Sequence, residues 1–228
     1  MPDRIWDPVL VPSSEQWVPR NTARTGGQSF TGAEQLVESP AARMTASLTI
    51  PCNTKAKVLA ARRMIALGRS QIWIVGPVEV RRAPWAIDPM TGGAITYAGQ
   101  DPSAATPYDR ASDFVLGADA ALNATTLTVT RRAGGHLIPG QFLSIGNQLR
   151  TIVDLLSDDP TEAGSGLATP GNIDLAIRPW IKTAFAAGTP VEFGRPVGRM
   201  RLASDDTGAL SLQLSHTGAV TFDLVEAI

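Results

Sequence analysis

Prolines and glycines divide this chain into short segments, and this feature limits the possible fold more than any other. The 228 residues include 17 prolines and 21 glycines, which lie between short apolar runs. Proline lacks the N–H that a helix interior or a central strand needs, and glycine favours turns. A chain interrupted in this way suits many short strands better than long helices. We therefore expect a mainly β fold.

Composition and charge restrict the class of protein further. Hydrophobic residues make up 43% of the chain, which is enough to build a core, and the net charge of −1 gives no general attraction to nucleic acid or to an anionic membrane. The charge is uneven, however, because residues 1–100 hold 11 Arg and Lys against 7 acids, and residues 101–228 hold 9 against 14. These halves are either two ordinary solvated surfaces or complementary faces that meet between neighbouring subunits.

One segment has the pattern of an α-helix. Asn53 or Thr54 can cap a helix over Lys55–Leu67, and Gly68 follows at the position where a helix commonly ends. Arg62, Arg63 and Arg69 lie off its apolar stripe and form a candidate basic face. This face lacks a recognition-helix context and aromatic stacking residues, so we interpret it as a solvated or intersubunit face and not as a nucleic-acid site.

Several segments have the short or alternating patterns of strands. Between Phe114 and Phe193 five such runs suggest a small barrel or sandwich, and a final run over residues 220–228 is expected to pair with the N-terminal strand-helix-strand unit. The predicted domains are therefore residues 1–112 with 195–228, and an inserted domain of residues 113–194. The predicted strands are Met44–Ile50, Gln71–Val75, Thr125–Thr130, Gln141–Ile145, Leu149–Leu155, Ile173–Arg178, Pro190–Phe193, Arg199–Ala203, Leu210–Leu214 and Val220–Ile228.

Residues 1–40 have a different character from the rest of the chain. Five prolines argue against regular helix and central strand here, so we expect an extended or irregular arm. The segment nevertheless contains Trp6, Trp17 and Phe30, which a disordered tail would rarely carry. We expect these three side chains to be buried against protein, either in their own domain or on a neighbour.

The sequence contains none of the motifs that would indicate catalysis, a metal or a cofactor. The two histidines, His136 and His216, lie far apart, and there is no phosphate-binding loop or nucleophile elbow. The single cysteine, Cys52, rules out an intrachain disulfide and is either a packing residue or a thiol near a helix N-terminus. The start lacks the features of a secretory signal, and no run has the roughly 18 apolar residues of a membrane helix. We expect a protein made in the cytoplasm that is not an enzyme.

Three stretches resemble distal tail proteins of siphophages and gene transfer agents. The first is the arm around Ser29-Phe30-Thr31-Gly32-Ala33-Glu34-Gln35, which stands before a strand, an Ala-rich helix and a short aromatic strand. The second is Pro139-Gly140-Gln141-Phe142-Leu143-Ser144-Ile145-Gly146, which is similar to a strand pair of that family, as Ile177-Arg178-Pro179 is to a strand end. The third is Arg199-Met200-Arg201-Leu202, which resembles the strand that re-enters the main domain.

This resemblance implies a fold and a role. It implies a β-sandwich-like belt domain with an inserted small β-barrel, and a structural virion protein that forms a ring, usually a hexamer. Such a ring joins the tail tube to a baseplate or tail-tip hub and continues the channel through which DNA passes as cargo. The candidate intersubunit contacts are Trp6, Trp17, Arg20, Arg24 and Phe30. The alternative is a carbohydrate-binding or hydrolytic accessory protein of the virion, for which Trp180 and Phe185 would be the exposed aromatics.

Overall fold

The computed structural model shows a mainly β protein with one α-helix, which confirms the predicted fold class. It describes residues 2–28, 34–78, 83–84, 112–161, 168–205, 207–208, 211–212 and 218–228, and for residues 21–28, 34–39 and 211–212 it describes the backbone only. In chain order the elements are β1 (Arg4–Ile5), β2 (Ser14–Gln28), β3 (Glu34–Cys52), α1 (Lys55–Leu67), a 3-10 turn (Gly68–Ser70), β4 (Trp73–Val75), β5 (Asp113–Leu116), β6 (Thr126–Ala133), β7 (Phe142–Ile145), β8 (Gln148–Leu155), β9 (Gly171–Arg178), β10 (Pro190–Val191), β11 (Gly198–Leu202), β12 (Ser211–Leu212) and β13 (Gly218–Glu226).

The chain divides into two compact units. The sheet unit is Met1–Val78 with Gly198–Ile228, and the barrel unit is Glu79–Val197. These boundaries differ from the predicted ones at residues 112/113 and 194/195. The barrel unit begins earlier because residues before β5 already belong to it: the carbonyl of Pro84 accepts a hydrogen bond from the N–H of Gly135 at 2.8 Å.

The sheet unit is built on one sheet with strand order β1-β4-β11-β13-β3-β2, and β12 lies beside β13. β13 pairs antiparallel with β3 from Gly218↔Cys52 to Val225↔Thr45, which confirms that the final strand returns to the N-terminal segment. One sheet face packs on α1 and on the segment around Trp6 and Leu10, which together form the second layer of the core. Core residues are Leu10, Ala46, Leu48, Ile50, Cys52, Ala61, Met64, Trp73, Val75, Met200, Leu202, Val220, Phe222 and Leu224.

The helix α1 has the predicted bounds because the local signals agree. The Oγ1 atom of Thr54 accepts a hydrogen bond from the N–H of Lys57 at 3.3 Å, which satisfies one of the free donors of the first turn. Gly68 ends the helix with a φ of 61° that other residues rarely adopt. Ala61 and Met64 are buried against the sheet, so α1 is fixed to it by one face.

Of the two alternatives predicted for residues 1–40, extended or irregular, the structure shows an extended backbone in most of the segment, but as regular paired strand. Residues 14–28 and 34–52 form the two longest strands of the described structure, β2 and β3. The prolines are tolerated because of where they lie in the sheet. Pro19 is on β2, an edge strand, and Pro40 lies at a break in the β2–β3 register, between the paired positions Arg20↔Arg43 and Thr22↔Ser39. Edge strands and bulges are the places in a sheet where a residue without a backbone donor costs little.

The barrel unit contains a six-stranded, nearly closed sheet with order β10-β5-β6-β9-β8-β7. The two ends approach each other because Ser144 in β7 and Glu192 just after β10 exchange backbone hydrogen bonds of 2.8 and 2.9 Å. β5 was not among the predicted strands. The core of this unit consists of Phe114, Leu116, Ala120, Leu127, Val129, Leu137, Leu143, Ile145, Ile152, Ile173, Leu175, Ile177, Ile181, Val191 and Phe193.

Candidate assembly interface

The hairpin of β2 and β3 is longer than the sheet to which it belongs. The two strands pair from Ser14↔Thr49 to Gln28↔Glu34, but β13 accompanies β3 only over its last part, as far as Thr45. We call residues 20–28 and 34–43 the hairpin arm. In the described part of the chain these two strands pair, as strands, only with each other, so residues 22–28 and 34–39 form a two-stranded ribbon with no third strand beside it.

The arm begins where the pairing of β3 with β13 ends, beside Glu226, the last residue of β13. This residue is 3% exposed, and its Oε2 atom accepts a hydrogen bond from the backbone N–H of Met44 at 3.1 Å. Met44 comes directly after the last paired position, Thr45↔Val225, on the way into the arm. A side-chain oxygen therefore takes the donor that a longer β13 would have bonded, and three-stranded pairing ends at this point.

The strand edges of such a ribbon are the part that can form hydrogen bonds with another chain. Each unpaired N–H and C=O is available to a further strand, and addition of a strand to a free edge is a common mode of protein recognition. An isolated two-stranded ribbon is only marginally stable in water, so pairing with another chain would also stabilise it. The arm is therefore the feature of the sheet unit that fits contact with another chain best.

An open trough of about 330 Å³ lies on the polar sheet face beside the base of the arm. Hydroxyl groups form its floor: Thr45 donates to the carbonyl of Val18 at 2.9 Å, and Ser47 donates to Asp223 at 2.7 Å. Val18 is 43% exposed at this trough. A polar floor with one exposed aliphatic side chain suits a side chain of an approaching protein. The lining residues are Gln16, Val18, Arg20, Thr45, Ala46, Ser47, Ala203, Asp223 and Leu224.

Trp6 and Trp17 have partners within their own unit. The ring of Trp6 makes edge-to-face contacts with Trp73 at 6.4 Å and with Phe222 at 6.0 Å, and its Nε1 donates to the carbonyl of Leu10. Trp17 packs against the same core, and its Nε1 donates to Glu15 at 3.1 Å. Both side chains are half-buried, so each leaves some surface for another contact. Their intersubunit role stays a prediction.

The other predicted arm contacts lie further along the hairpin. Arg20 is exposed and faces Arg43 across the β2–β3 pair. The backbone of Arg24 pairs with Val37, but its side chain lies outside the described residues, as does the whole of Phe30. The structure thus places Arg20 at the beginning of the arm, and it leaves the roles of Arg24 and Phe30 as predictions.

The candidate basic face lies on α1 and on the turn that follows it. Arg62, Arg63 and Arg69 are exposed, while the opposite side of the helix packs on the sheet. Arg81 and Arg82, which belong to the same cluster in the sequence, lie outside the described residues.

Arg131, a buried arginine that was not identified from the sequence, connects separate segments of the barrel unit. Arg131 is 1% exposed, and its guanidinium donates to the carbonyls of Thr169, Gly135 and Pro160 and to the carboxylate of Asp159, at 2.5 to 3.2 Å. Its partners come from both ends of the 160–169 loop. Alternation along β6 places Leu127, Val129 and Arg131 on the inner face. This alternation is the sequence signal from which the burial of Arg131 could have been predicted.

The aromatics considered for carbohydrate contact are only partly accessible. Phe185 packs against the barrel core, and its ring lies so close to Gly146 that a side chain there would clash with it. Its backbone is also bonded to Ala120 in both directions. Trp180 is half-buried. Phe185 is therefore a packing residue, and it does not form an exposed platform for a sugar.

Cys52 is buried in the sheet unit, and burial raises the pKa of its thiol, an effect that nearby Lys57 partly offsets. A thiol with a raised pKa and no solvent access is a poor nucleophile. We expect iodoacetamide to label Cys52 at least tenfold more slowly in the native protein than in denaturant, with mass spectrometry as the measurement. Equal rates in the two conditions would contradict the packing role.

Other kinds of site find no support in the described part of the chain. No group of three or more His, Cys, Asp or Glu residues there could hold a metal ion. No described helix combines the length and the hydropathy needed to cross a bilayer. A scan with protein-family models found no match, and a search of curated proteins found no similar sequence.

Proposed function

We propose that this protein is a structural subunit of a phage-type tail, where copies form a ring at the distal end and join the tail tube to a baseplate or tail-tip hub. One observation carries the proposal: the hairpin arm extends past the end of β13, and along residues 22–28 and 34–39 no third described strand pairs with it. The proposed role needs contacts between surfaces and no catalytic group.

The arm suits ring formation because the contact it offers is directional. A strand edge on one copy that pairs with a different surface on the next copy makes a head-to-tail contact, and repetition of that contact closes a ring when the rotation between copies permits. The trough beside the base of the arm provides a second surface that a neighbouring chain could occupy. Both features belong to the sheet unit, the part that corresponds to the belt of the proposed family.

The sequence resemblance supplies the remaining parts of the proposal. A split main domain, a single helix and an inserted barrel occur in the order that distal tail proteins have. In the proposed assembly the ring is a hexamer, its neighbours are the tail tube protein and the hub protein, and DNA passes through the lumen as cargo. The protein is made in the host cytoplasm and acts in the virion tail.

The intact protein is expected to form a closed particle of about six times the 24.1 kDa protomer mass. Mass photometry of the protein alone, and mixed with a phage tail tube protein, measures this mass directly. Negative-stain images should show rings in the same samples.

A monomer under all these conditions would count against a ring subunit. Binding of that monomer to host-cell polysaccharide would favour the alternative, an accessory protein of the virion that binds or hydrolyses carbohydrate.

A further inference from the structure

The outer face of α1 carries unpaired positive charge around an exposed leucine. Lys55, Leu59, Arg62 and Arg63 recur at intervals of three to four residues, so they lie on one side of the helix, and all four are exposed. We call these residues the basic helix face. Leu59 at its centre is 51% exposed. The helix sequence contains no Asp or Glu, and within the described residues none of its cations on this face forms an ion pair.

The barrel unit carries a surface of similar composition and opposite charge. A bulge in β8 after Ile152 interrupts the alternation, so Val153 and Asp154 are both exposed. Leu156 and Asp158 follow them and are exposed as well, with Val153 at 52% and Leu156 at 54%. We call Val153, Asp154, Leu156 and Asp158 the acidic barrel face.

A further acid extends this surface. Asp174 on β9 is a diagonal neighbour of Asp154, which pairs with Ala176, and the carbonyl of Asp174 accepts the N–H of Leu156 at 2.7 Å. In the described part of the chain these carboxylates form no ion pair. Asp174 accepts a hydrogen bond from the hydroxyl of Thr128, and Asp154 accepts one from the N–H of Leu155, but neither is neutralised by a cation among the described residues. Each of the two faces therefore combines exposed aliphatic side chains with charges of one sign that have no described ion-pair partner.

We propose that the basic helix face of one copy docks on the acidic barrel face of the next copy, an inference that rests on the proposed ring. Contacts between proteins commonly have an apolar centre with a charged rim, and opposite charges determine which surfaces meet. The charge pattern also selects which faces meet. Contact of either face with its own copy would bring like charges together, whereas contact of the helix face with the barrel face pairs opposite charges, and repetition of such a contact head to tail is what a ring requires.

Charge reversal tests the contact directly. Arg62→Glu with Arg63→Glu makes the helix face acidic, and Asp154→Lys with Asp158→Lys makes the barrel face basic. In each single-face variant both faces carry the same sign, so we expect at least tenfold weaker self-association by sedimentation velocity. The matched control is Arg132→Glu with Arg195→Glu, which changes the net charge equally at exposed cations elsewhere on the barrel unit and should assemble like the unmodified protein.

Recombination of the variants makes the test specific. An equimolar mixture of the two single-face variants should assemble again, because each helix face then finds an opposite barrel face on the other variant. The chain that carries all four substitutions should also assemble by itself. Single-face variants that assemble normally, or a mixture that stays dissociated, would overturn the helix-to-barrel contact. If the unmodified protein assembles, either of these results rejects the helix-to-barrel contact and not the proposed ring. If the unmodified protein itself does not assemble, the proposed function is contradicted.

Discussion

Shortening the hairpin arm is expected to abolish assembly and to leave the fold of a single copy intact. The change replaces residues 22–39 with an Asn-Gly turn, which favours a tight hairpin. The described buried residues of β3 begin at Ala42, which the variant keeps, and Glu226 still bonds the N–H of Met44, so the shortened strands keep their anchoring contacts. The lost residues include 22–28 and 34–39, where no third described strand pairs with the arm.

The expected mass by photometry is that of the monomer. The variant should associate at least tenfold more weakly than the intact protein under conditions where the intact protein forms rings. Circular dichroism and a melting temperature within about 5 °C of the intact protein establish that the variant is folded, since a change of 1 kcal/mol shifts the melting temperature of such domains by a few degrees. Full rings from this folded variant would show that the arm is not the assembly contact.

The substitution Arg131→Met is expected to destabilise the barrel unit by about 3–5 kcal/mol, because removal of one partner leaves the buried side of Asp159 without its cation. The carbonyls of Pro160 and Thr169, at the ends of the 160–169 loop, and the carbonyl of Gly135 lose their donor at the same time. Asp159 keeps a contact with His136 and with the N–H of Leu137, and these cannot replace a buried guanidinium. Hydrogen exchange in β6 and β9 should therefore become faster.

The matched control is the neighbouring residue, Arg132, which is exposed on the same strand. Arg132→Met should change the free energy of unfolding by no more than about 0.5 kcal/mol. Hydrogen exchange measured by mass spectrometry reports on the barrel unit separately from the sheet unit. Equal protection in the two variants would show that the other contacts of Asp159 are sufficient to hold the loop.

The parts of the fold that the sequence predicted are those with local signals. The helix bounds follow from a cap at Thr54, a periodic apolar stripe and a glycine at position 68, all within one short segment. The turn at Gly146 and Asn147 was also predictable, because this dipeptide is typical of tight hairpin turns. Both residues have a positive φ in the structure, as such a turn requires. Pairing of β13 with β3 was predictable only in outline, from the alternation in its last residues.

The long hairpin was missed because its evidence is not local. Prolines at 19 and 40 argue against a strand in a central position, and only the finished sheet shows that Pro19 lies on an edge strand and Pro40 at a break in strand register. The burial of Arg131 is difficult to predict from the sequence for a related reason. The predicted strand ends at Thr130, and three of the four acceptors that permit burial of Arg131 belong to residues 28 to 38 positions further along the chain.

The position of β13 in the sheet has a consequence for synthesis of the protein. This strand separates β3 from β11, and its contact between Glu226 and Met44 joins residues 182 positions apart. A nascent chain on the ribosome therefore carries the hairpin without its central neighbour until translation reaches the final strand. Chains that stop before β13 cannot complete the sheet, so the base of the arm folds only after residues 218–226 have been made. Under the proposed assembly, this order of synthesis limits premature joining of unfinished copies.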